Sequence, residues 1–175
     1  MSKLSQGWIL QKRERREGDP SLAGPLWVYG ALIFCWLCDL LPWSSEPLVP
    51  SFLYLALVFW SIYRPDRMYF LLVFLLGILV DAGTGAVFGQ NALIFCTAVF
   101  FTQLMSLRLQ WLSGIGQALN LIPVFLVPVV LLTAESLFLG DFTFSWTWLA
   151  KAGVSVVIWP IWSWLLSGSI FSHRG

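Results

Sequence analysis

The stretch Gly77-Ile-Leu-Val-Asp81-Ala-Gly-Thr-Gly85-Ala-Val-Phe-Gly89-Gln-Asn91 places a carboxylate and four glycines in a segment that is otherwise strongly apolar. A free carboxylate in hydrocarbon is costly. Asp81 is therefore expected to be packed as a structural element, to bind a ligand, to carry a proton, or to lie closer to water than its surroundings indicate. The composition of the rest of the chain helps to decide between these roles.

The composition is that of an integral membrane protein. Of the 175 residues, 58% are hydrophobic and 11% are charged, and the mean hydropathy is +0.80. Soluble domains carry about 25% charged residues. The long uncharged runs between the charge clusters can each cross a bilayer. The net charge of +1 gives no support for nucleic-acid binding, which would require a basic patch on a soluble surface.

The predicted fold class is an all-α polytopic membrane protein with six transmembrane helices. Lipid does not tolerate irregular backbone, so apolar runs of this length are predicted to be helices. With both termini in the cytoplasm, nine of the ten basic residues fall on the cytoplasmic side, as the positive-inside rule requires. Charge, proline and glycine delimit the six runs at about 26–43, 48–63, 69–88, 91–107, 119–140 and 147–170.

The predicted domains are a basic cytoplasmic segment (1–25), a six-helix membrane domain (26–170) and a cytoplasmic tail (171–175). The first segment is read either as a short interfacial helix held by anionic headgroups or as a disordered topology signal.

Charged side chains recur in the outer halves of the predicted helices. Three acids and one lysine at similar depth predict a shared polar cluster beneath the external face, where the lysine neutralises one carboxylate. In the alternative, each residue sits at a helix end and reaches external water on its own. The residues are Asp39, Asp81, Glu135 and Lys151.

The glycines of the opening stretch recur with Asp81 every four residues, at Gly77, Gly85 and Gly89. If the helix continues, they form one small-residue face that a partner helix can approach closely and that shelters Asp81 from lipid. If Gly83-Thr-Gly85 ends the helix, the segment to Asn91 is a wide external turn. Both alternatives favour a structural role for Asp81.

Other motifs give no sign of an enzyme or a cofactor site. The glycine spacing does not match a dinucleotide-binding loop. Cys35 and Cys38 lack a second pair of ligands, and the histidine is at position 173, so no metal site is predicted. Proline interrupts helical hydrogen bonding, which predicts kinks at Pro123, Pro128 and Pro160.

Five groups of residues occur in a characteristic order and spacing: Leu41-Pro-Trp43, Pro50 to Trp60 followed by Arg64-Pro65-Asp66-Arg67, Gly77 to Gly85 with Gly89, Ala134-Glu135, and Trp159-Pro160. Together they resemble the MreD family of rod shape-determining proteins. The resemblance covers residues 25–170, but the basic extension before Pro25 is longer than the family minimum.

The resemblance implies a non-enzymatic subunit of the bacterial inner membrane that belongs to the cell-elongation machinery. Members of the family bind MreC, a single-span membrane protein, and work with MreB filaments, RodA and the elongation-specific penicillin-binding protein. Their six-helix fold looks like the substrate-binding subunit of energy-coupling-factor transporters. The matching motifs assign importance to Asp81 with its glycines, Glu135, Pro160 and the cytoplasmic loop of Arg64, Pro65 and Arg67.

Independently of the resemblance, a chain with short loops must act through its helices. As a scaffold, it would present the glycine face and external loops to a partner's transmembrane segment. As a transporter subunit, it would use the outer-half carboxylates to bind a small cationic or polar solute in a cavity. The least favoured hypothesis is an enzyme that acts on lipid-linked intermediates with the same carboxylates.

Overall fold

A computed structural model of the chain describes residues 25–41, 49–138 and 145–171, and the side chains from Val28 to Leu166 within those ranges. The regular elements of the described part are all helical, which confirms the predicted fold class at this level. The predicted N-terminal segment and C-terminal tail lie almost wholly outside the described residues, as do the loops around residues 42–48 and 139–144.

Seven α-helices and one 3₁₀ turn make up the described part of the chain. The 3₁₀ turn, Pro65–Arg67, joins α2 to α3. The helices are α1 (Pro25–Asp39), α2 (Phe52–Tyr63), α3 (Phe70–Thr84), α4 (Gln90–Leu109), α5 (Gly114–Asn120), α6 (Ile122–Phe138) and α7 (Trp146–Phe171).

Three helical segments of the described chain are long and apolar enough to cross a membrane: Gln90–Leu109, Gly114–Phe138 and Trp146–Leu166. The other apolar helices are shorter, and α2 has only 12 residues. At 1.5 Å per residue, α2 covers about 18 Å of a hydrocarbon core about 30 Å thick. Helix length alone therefore supports three crossings, and the six-crossing topology stays a prediction.

The short helix α2 lies at the centre of the fold. Every residue from Leu53 to Ile62 is buried, and α2 packs against α1, α4 and α7. A helix that is apolar on all sides is stable only when other helices surround it. Large apolar side chains on α3, α4 and α7 remain exposed instead, including Leu71, Phe74, Leu104, Val157 and Ile161, and they form a surface suited to lipid.

The three prolines predicted to kink helices occupy different positions. Pro128 lies inside α6 and Pro160 inside α7. Pro123 lies in the first turn of α6, just after the interruption at Leu121 that separates α5 from α6. A proline has no N–H to offer to the preceding turn, which accounts for an interruption at this place. The kinks at Pro128 and Pro160 stay predictions.

Candidate functional site at the Asp39 and Asp81 end of the bundle

The opening stretch forms the end of one helix, a turn and the start of the next helix. α3 ends at Thr84, and Gly85 and Gly89 have φ angles of 69° and 94°. These left-handed conformations favour glycine and stop a continuous helix. The prediction of one helical face made by Gly77, Asp81, Gly85 and Gly89 is therefore wrong, and the turn alternative is correct.

Asp81 joins the two sides of this turn. Its carboxylate accepts hydrogen bonds from the Gly89 N–H at 2.8 Å, the Asn91 N–H at 3.0 Å and the Asn91 side-chain amide at 2.9 Å. The first N–H groups of a helix have no partner within the helix. Because the N-cap residue of α4 is a glycine, it has no side chain to accept them, and Asp81 from the preceding helix does so instead.

Asp39 makes the equivalent connection between α1 and α2. It lies at the last position of α1 and accepts from the Ser51 hydroxyl at 2.5 Å, the Phe52 N–H at 2.8 Å and the Leu53 N–H at 3.2 Å. Ser51 itself accepts from the Tyr54 N–H at 3.2 Å. The first N–H groups of the central helix are thus satisfied by two side chains that lie before it.

Both aspartates are therefore occupied within the fold. Asp39 is 8% exposed and Asp81 is 1% exposed, and each accepts hydrogen bonds from the N-terminal end of the next helix. A helix N-terminus carries a partial positive charge that stabilises a carboxylate. The geometry agrees with the structural role expected for Asp81.

Gly77 has a separate function in the packing of α3 against α4. A Cβ atom added to Gly77 would lie 2.5 Å from the backbone nitrogen of Ala92. Any side chain here would force the two helix backbones apart. Gly77 therefore permits the close small-residue contact that the sequence predicts, whereas Gly85 and Gly89 serve the turn.

A cavity of about 350 Å³ lies beside the two connections. The structure brings Asp39 and Lys151 together in its wall, and their charges interact. Asn91, the partner of Asp81, also lines the cavity, but Asp81 and Glu135 do not. Of the predicted four-residue cluster, one pair thus shares the cavity, and the half-buried Glu135 on α6 is not among the lining residues.

The cytoplasmic loop predicted from Arg64, Pro65 and Arg67 is a tight turn. Arg64 ends α2, with its backbone N–H bonded to the Trp60 carbonyl at 2.7 Å. Arg67 faces the exposed Asp66 carboxylate at 3.9 Å. An exposed ion pair of this kind contributes little to stability.

Gln117 is a structural residue that the sequence interpretation missed. This α5 side chain is 2% exposed, and its amide nitrogen donates to the Tyr63 hydroxyl at 3.0 Å and the Leu109 carbonyl at 3.0 Å. Its amide oxygen accepts from the Trp159 indole N–H at 3.4 Å. A single amide thereby links α2, the end of α4 and α7.

Ser51 and Asn91 were also missed as partners of the aspartates. A signal for both existed in the sequence. Each is a polar residue near the start of an apolar run, and the preceding run has an aspartate in its last part, an arrangement expected near the start of a helix.

Comparison with known proteins identifies the family. A sequence profile for the rod shape-determining protein MreD matches residues 26–168. The chain belongs to the MreD family. It is also 30% identical over 141 residues to the rod shape-determining protein MreD of Haemophilus influenzae, an alignment that covers 79% of this chain and 86% of that protein.

Membership in the MreD family gives this membrane chain a role in rod-shape determination, in a family that is structural and not catalytic. No solved structure matches the chain. The likeness to the substrate-binding subunit of energy-coupling-factor transporters therefore stays a prediction.

Proposed function

We propose that this MreD-family chain is a multi-pass scaffold of the bacterial inner membrane that binds MreC within the cell-elongation complex. With MreB, RodA and the elongation-specific penicillin-binding protein, it would help to couple the cytoskeleton to lateral peptidoglycan synthesis. The chain contributes helix surfaces and turns to this assembly, with no chemical step of its own.

The observation that carries the proposal, together with the family match, is the occupation of both buried aspartates by helix-capping hydrogen bonds. An acid that catalyses a reaction or binds a cationic solute needs an oxygen available to its substrate. Asp39 and Asp81 instead hold hairpins together, which favours a rigid scaffold. The alternative of a transporter subunit is less favoured, because two of the three outer-half acids that it would use for a cationic solute already accept hydrogen bonds within the fold.

The placement of charges supports six crossings with cytoplasmic termini. The cavity groups residues from the end of α1, the start of α2, the end of α3 and the starts of α4 and α7. Because the end of one helix and the start of the next lie at the same cavity, consecutive helices run antiparallel. The opposite turns contain Arg64, Arg67 and Arg108, as expected for a cytoplasmic face. The shorter helices would cross where the bilayer is thinned or where other helices surround them.

Cysteine labelling tests the topology in cells. Cys35, Cys38 and Cys96 are first replaced by serine, and single cysteines are then placed at Val87 in the α3–α4 turn and at Asp66 in the α2–α3 turn. A membrane-impermeant maleimide applied outside the inner membrane should label V87C and leave D66C unlabelled until the membrane is permeabilised. Equal labelling of both positions would contradict the six-crossing arrangement.

Copurification tests the scaffold role. Tagged chain and untagged full-length MreC from the same bacterium are coexpressed, extracted in mild detergent and separated by size exclusion. The two proteins should elute together, and V87D in the α3–α4 turn should weaken the complex more than the matched D66N in the opposite turn, because the external turns are the proposed docking surface. Separate elution together with normal cell shape after deletion of the chain would refute the proposal.

A further inference from the structure

The cavity beside Asp39 and Lys151 has the size of a small-molecule site. Its volume of about 350 Å³ falls in the range of about 300–1,000 Å³ that is usual for ligand pockets. Its lining includes polar side chains, among them Asp39, Lys151, Gln90, Asn91 and Ser155. It also includes apolar side chains, among them Ile94, Phe95, Phe125, Pro128 and Leu132. Such a cavity suits a molecule with a polar head and an apolar body.

The charges in the wall favour a negatively charged head. The Asp39 oxygens already accept hydrogen bonds from Ser51, Phe52 and Leu53, so a cationic guest would have to displace a helix cap. Two positive groups offset the Asp39 charge: the N-terminus of α2, which donates to the carboxylate, and the Lys151 ammonium, whose charge interacts with it. Lys151 is already engaged within the fold, but an ammonium has three N–H donors, and its strongest hydrogen bonds are with carboxylate or phosphate oxygens.

Two hydroxyl groups in the wall favour a head that also carries hydroxyls. Ser155 donates its hydrogen to the Lys151 carbonyl at 2.7 Å, and Thr84 donates to the Val80 carbonyl at 2.8 Å. Because both hydrogens are used within their own helices, each oxygen can take part in a further hydrogen bond only as an acceptor. A hydroxyl on the guest can donate to them.

We propose that this cavity binds an anionic amphiphile, in which a phosphate or carboxylate lies near a hydroxyl group and is joined to an apolar body. Lys151 binds the anionic group, the oxygens of Ser155 and Thr84 accept from the hydroxyl, and Phe95 and Phe125 contact the apolar body. The same chemistry is found in an anionic phospholipid of the surrounding bilayer and in a soluble hydroxylated carboxylate. The inference is independent of the interaction with MreC.

Native mass spectrometry of the full-length chain tests this inference. The protein is purified and delipidated in a neutral detergent and then titrated with dioctanoyl phosphatidylglycerol, with salicylate, or with dioctanoyl phosphatidylcholine as a control with the same tails and no net charge. At least one anionic probe should bind saturably as a single adduct, with phosphatidylglycerol preferred over phosphatidylcholine if a lipid is the occupant. The anionic probe that binds identifies the source.

Variants connect binding to the cavity. K151M should weaken binding of the anionic probe about tenfold, the effect of losing one charge-assisted hydrogen bond, whereas K151R should retain it. R108Q, which removes one positive charge from the last turn of α4 away from the cavity, should bind as the parent does. S155L narrows the cavity without altering its charge and should weaken binding even if K151M fails to fold.

Equal binding by the parent and K151M would overturn the proposal. So would equal affinity for phosphatidylglycerol and phosphatidylcholine with no binding of salicylate, or the absence of saturable binding for both anionic probes. Thermal melting of each variant separates lost binding from lost folding.

Discussion

The Tyr54 hydroxyl donates a hydrogen bond of 2.6 Å to the backbone carbonyl of Val124. Val124 lies four residues before Pro128, which has no N–H to offer to that carbonyl. The proline in α6 thus leaves an acceptor without its usual helical donor, and a tyrosine from the central helix α2 replaces it. Proline is tolerated in membrane helices when a neighbouring helix satisfies the freed group in this way.

Y54F should destabilise the protein by about 0.6 kcal/mol and at most about 1.7 kcal/mol, the average and the largest value found for hydrogen bonds between membrane helices. The reason is the buried Val124 carbonyl, which would lose its donor. In a P128A background the restored N–H of residue 128 can bond to that carbonyl, so Y54F should cost less there. Thermal or denaturant unfolding in detergent measures the double-mutant cycle.

Y69F provides the control for this cycle because Tyr69 is 64% exposed, and the change should be nearly neutral. An identical cost of Y54F in the parent and in P128A would separate the hydrogen bond from the proline and contradict this explanation.

D81N should lower stability and weaken the α3–α4 connection. An asparagine offers one acceptor oxygen to three donor groups and points its own N–H groups at them. We expect a loss of about 1–3 kcal/mol, typical of buried donors left without a partner. Unfolding in detergent and amide hydrogen exchange at Gly89 and Asn91 report the loss directly.

D66N is the matched control for D81N, because it also removes one carboxylate charge but at an exposed position. If D81N and D66N unfold at the same temperature, Asp81 does not stabilise the turn.

G77A should destabilise the packing of α3 against α4, although alanine is the better helix former by about 1 kcal/mol. The added methyl group meets the Ala92 backbone, which cannot move aside as a flexible side chain could. G153A is the control, because a Cβ atom at Gly153 meets no atom within 4 Å. Melting temperatures should fall for G77A and be unchanged or higher for G153A, and the reverse order would refute the close contact.

Q117L should destabilise the end of the bundle opposite the two aspartates. It leaves the Leu109 carbonyl, the Tyr63 hydroxyl and the Trp159 indole without the amide that now joins them. N120L is a fair comparison, since the Asn120 amide donates to the Gly116 carbonyl within its own helix. Q117L should lower the melting temperature more than N120L, with a change in Trp159 fluorescence. Equal melting temperatures would rule out a linking role for Gln117.

Local sequence patterns predicted the helices, but they did not give the exact length of the central helix. Apolar runs bounded by charge, proline and glycine indicate helices strongly, because every backbone N–H and C=O group in lipid must be hydrogen-bonded within the chain. The run at 48–63 is short in the sequence, but the helix within it is shorter still, with 12 residues, because a helix surrounded by protein need not span the lipid. Gly83-Thr-Gly85 likewise allowed either a continuing helix or a turn, and the positive φ of Gly85 decided for the turn.

The sequence did not show which side chains would contact one another in the folded protein. The predicted cluster of Asp39, Asp81, Glu135 and Lys151 assumed that similar depth means contact. Depth along a helix does not determine which way a side chain points around it. The structure places Asp39 with Lys151 at the cavity and Asp81 with Asn91 at the turn, and it does not include Glu135 in the cavity lining.

Composition was enough to predict a helical membrane protein and a cost for Asp81 unless it is sheltered, because the transfer of apolar and charged groups into lipid depends on residue type. The resemblance to the MreD family rests on particular motifs and not on composition. The packing of the helices was needed to show that both aspartates cap the next helix, that Tyr54 satisfies the carbonyl freed by Pro128, and that a cavity opens beside Lys151. Every buried polar group needs a partner, but the packing of the helices selects which group that partner is.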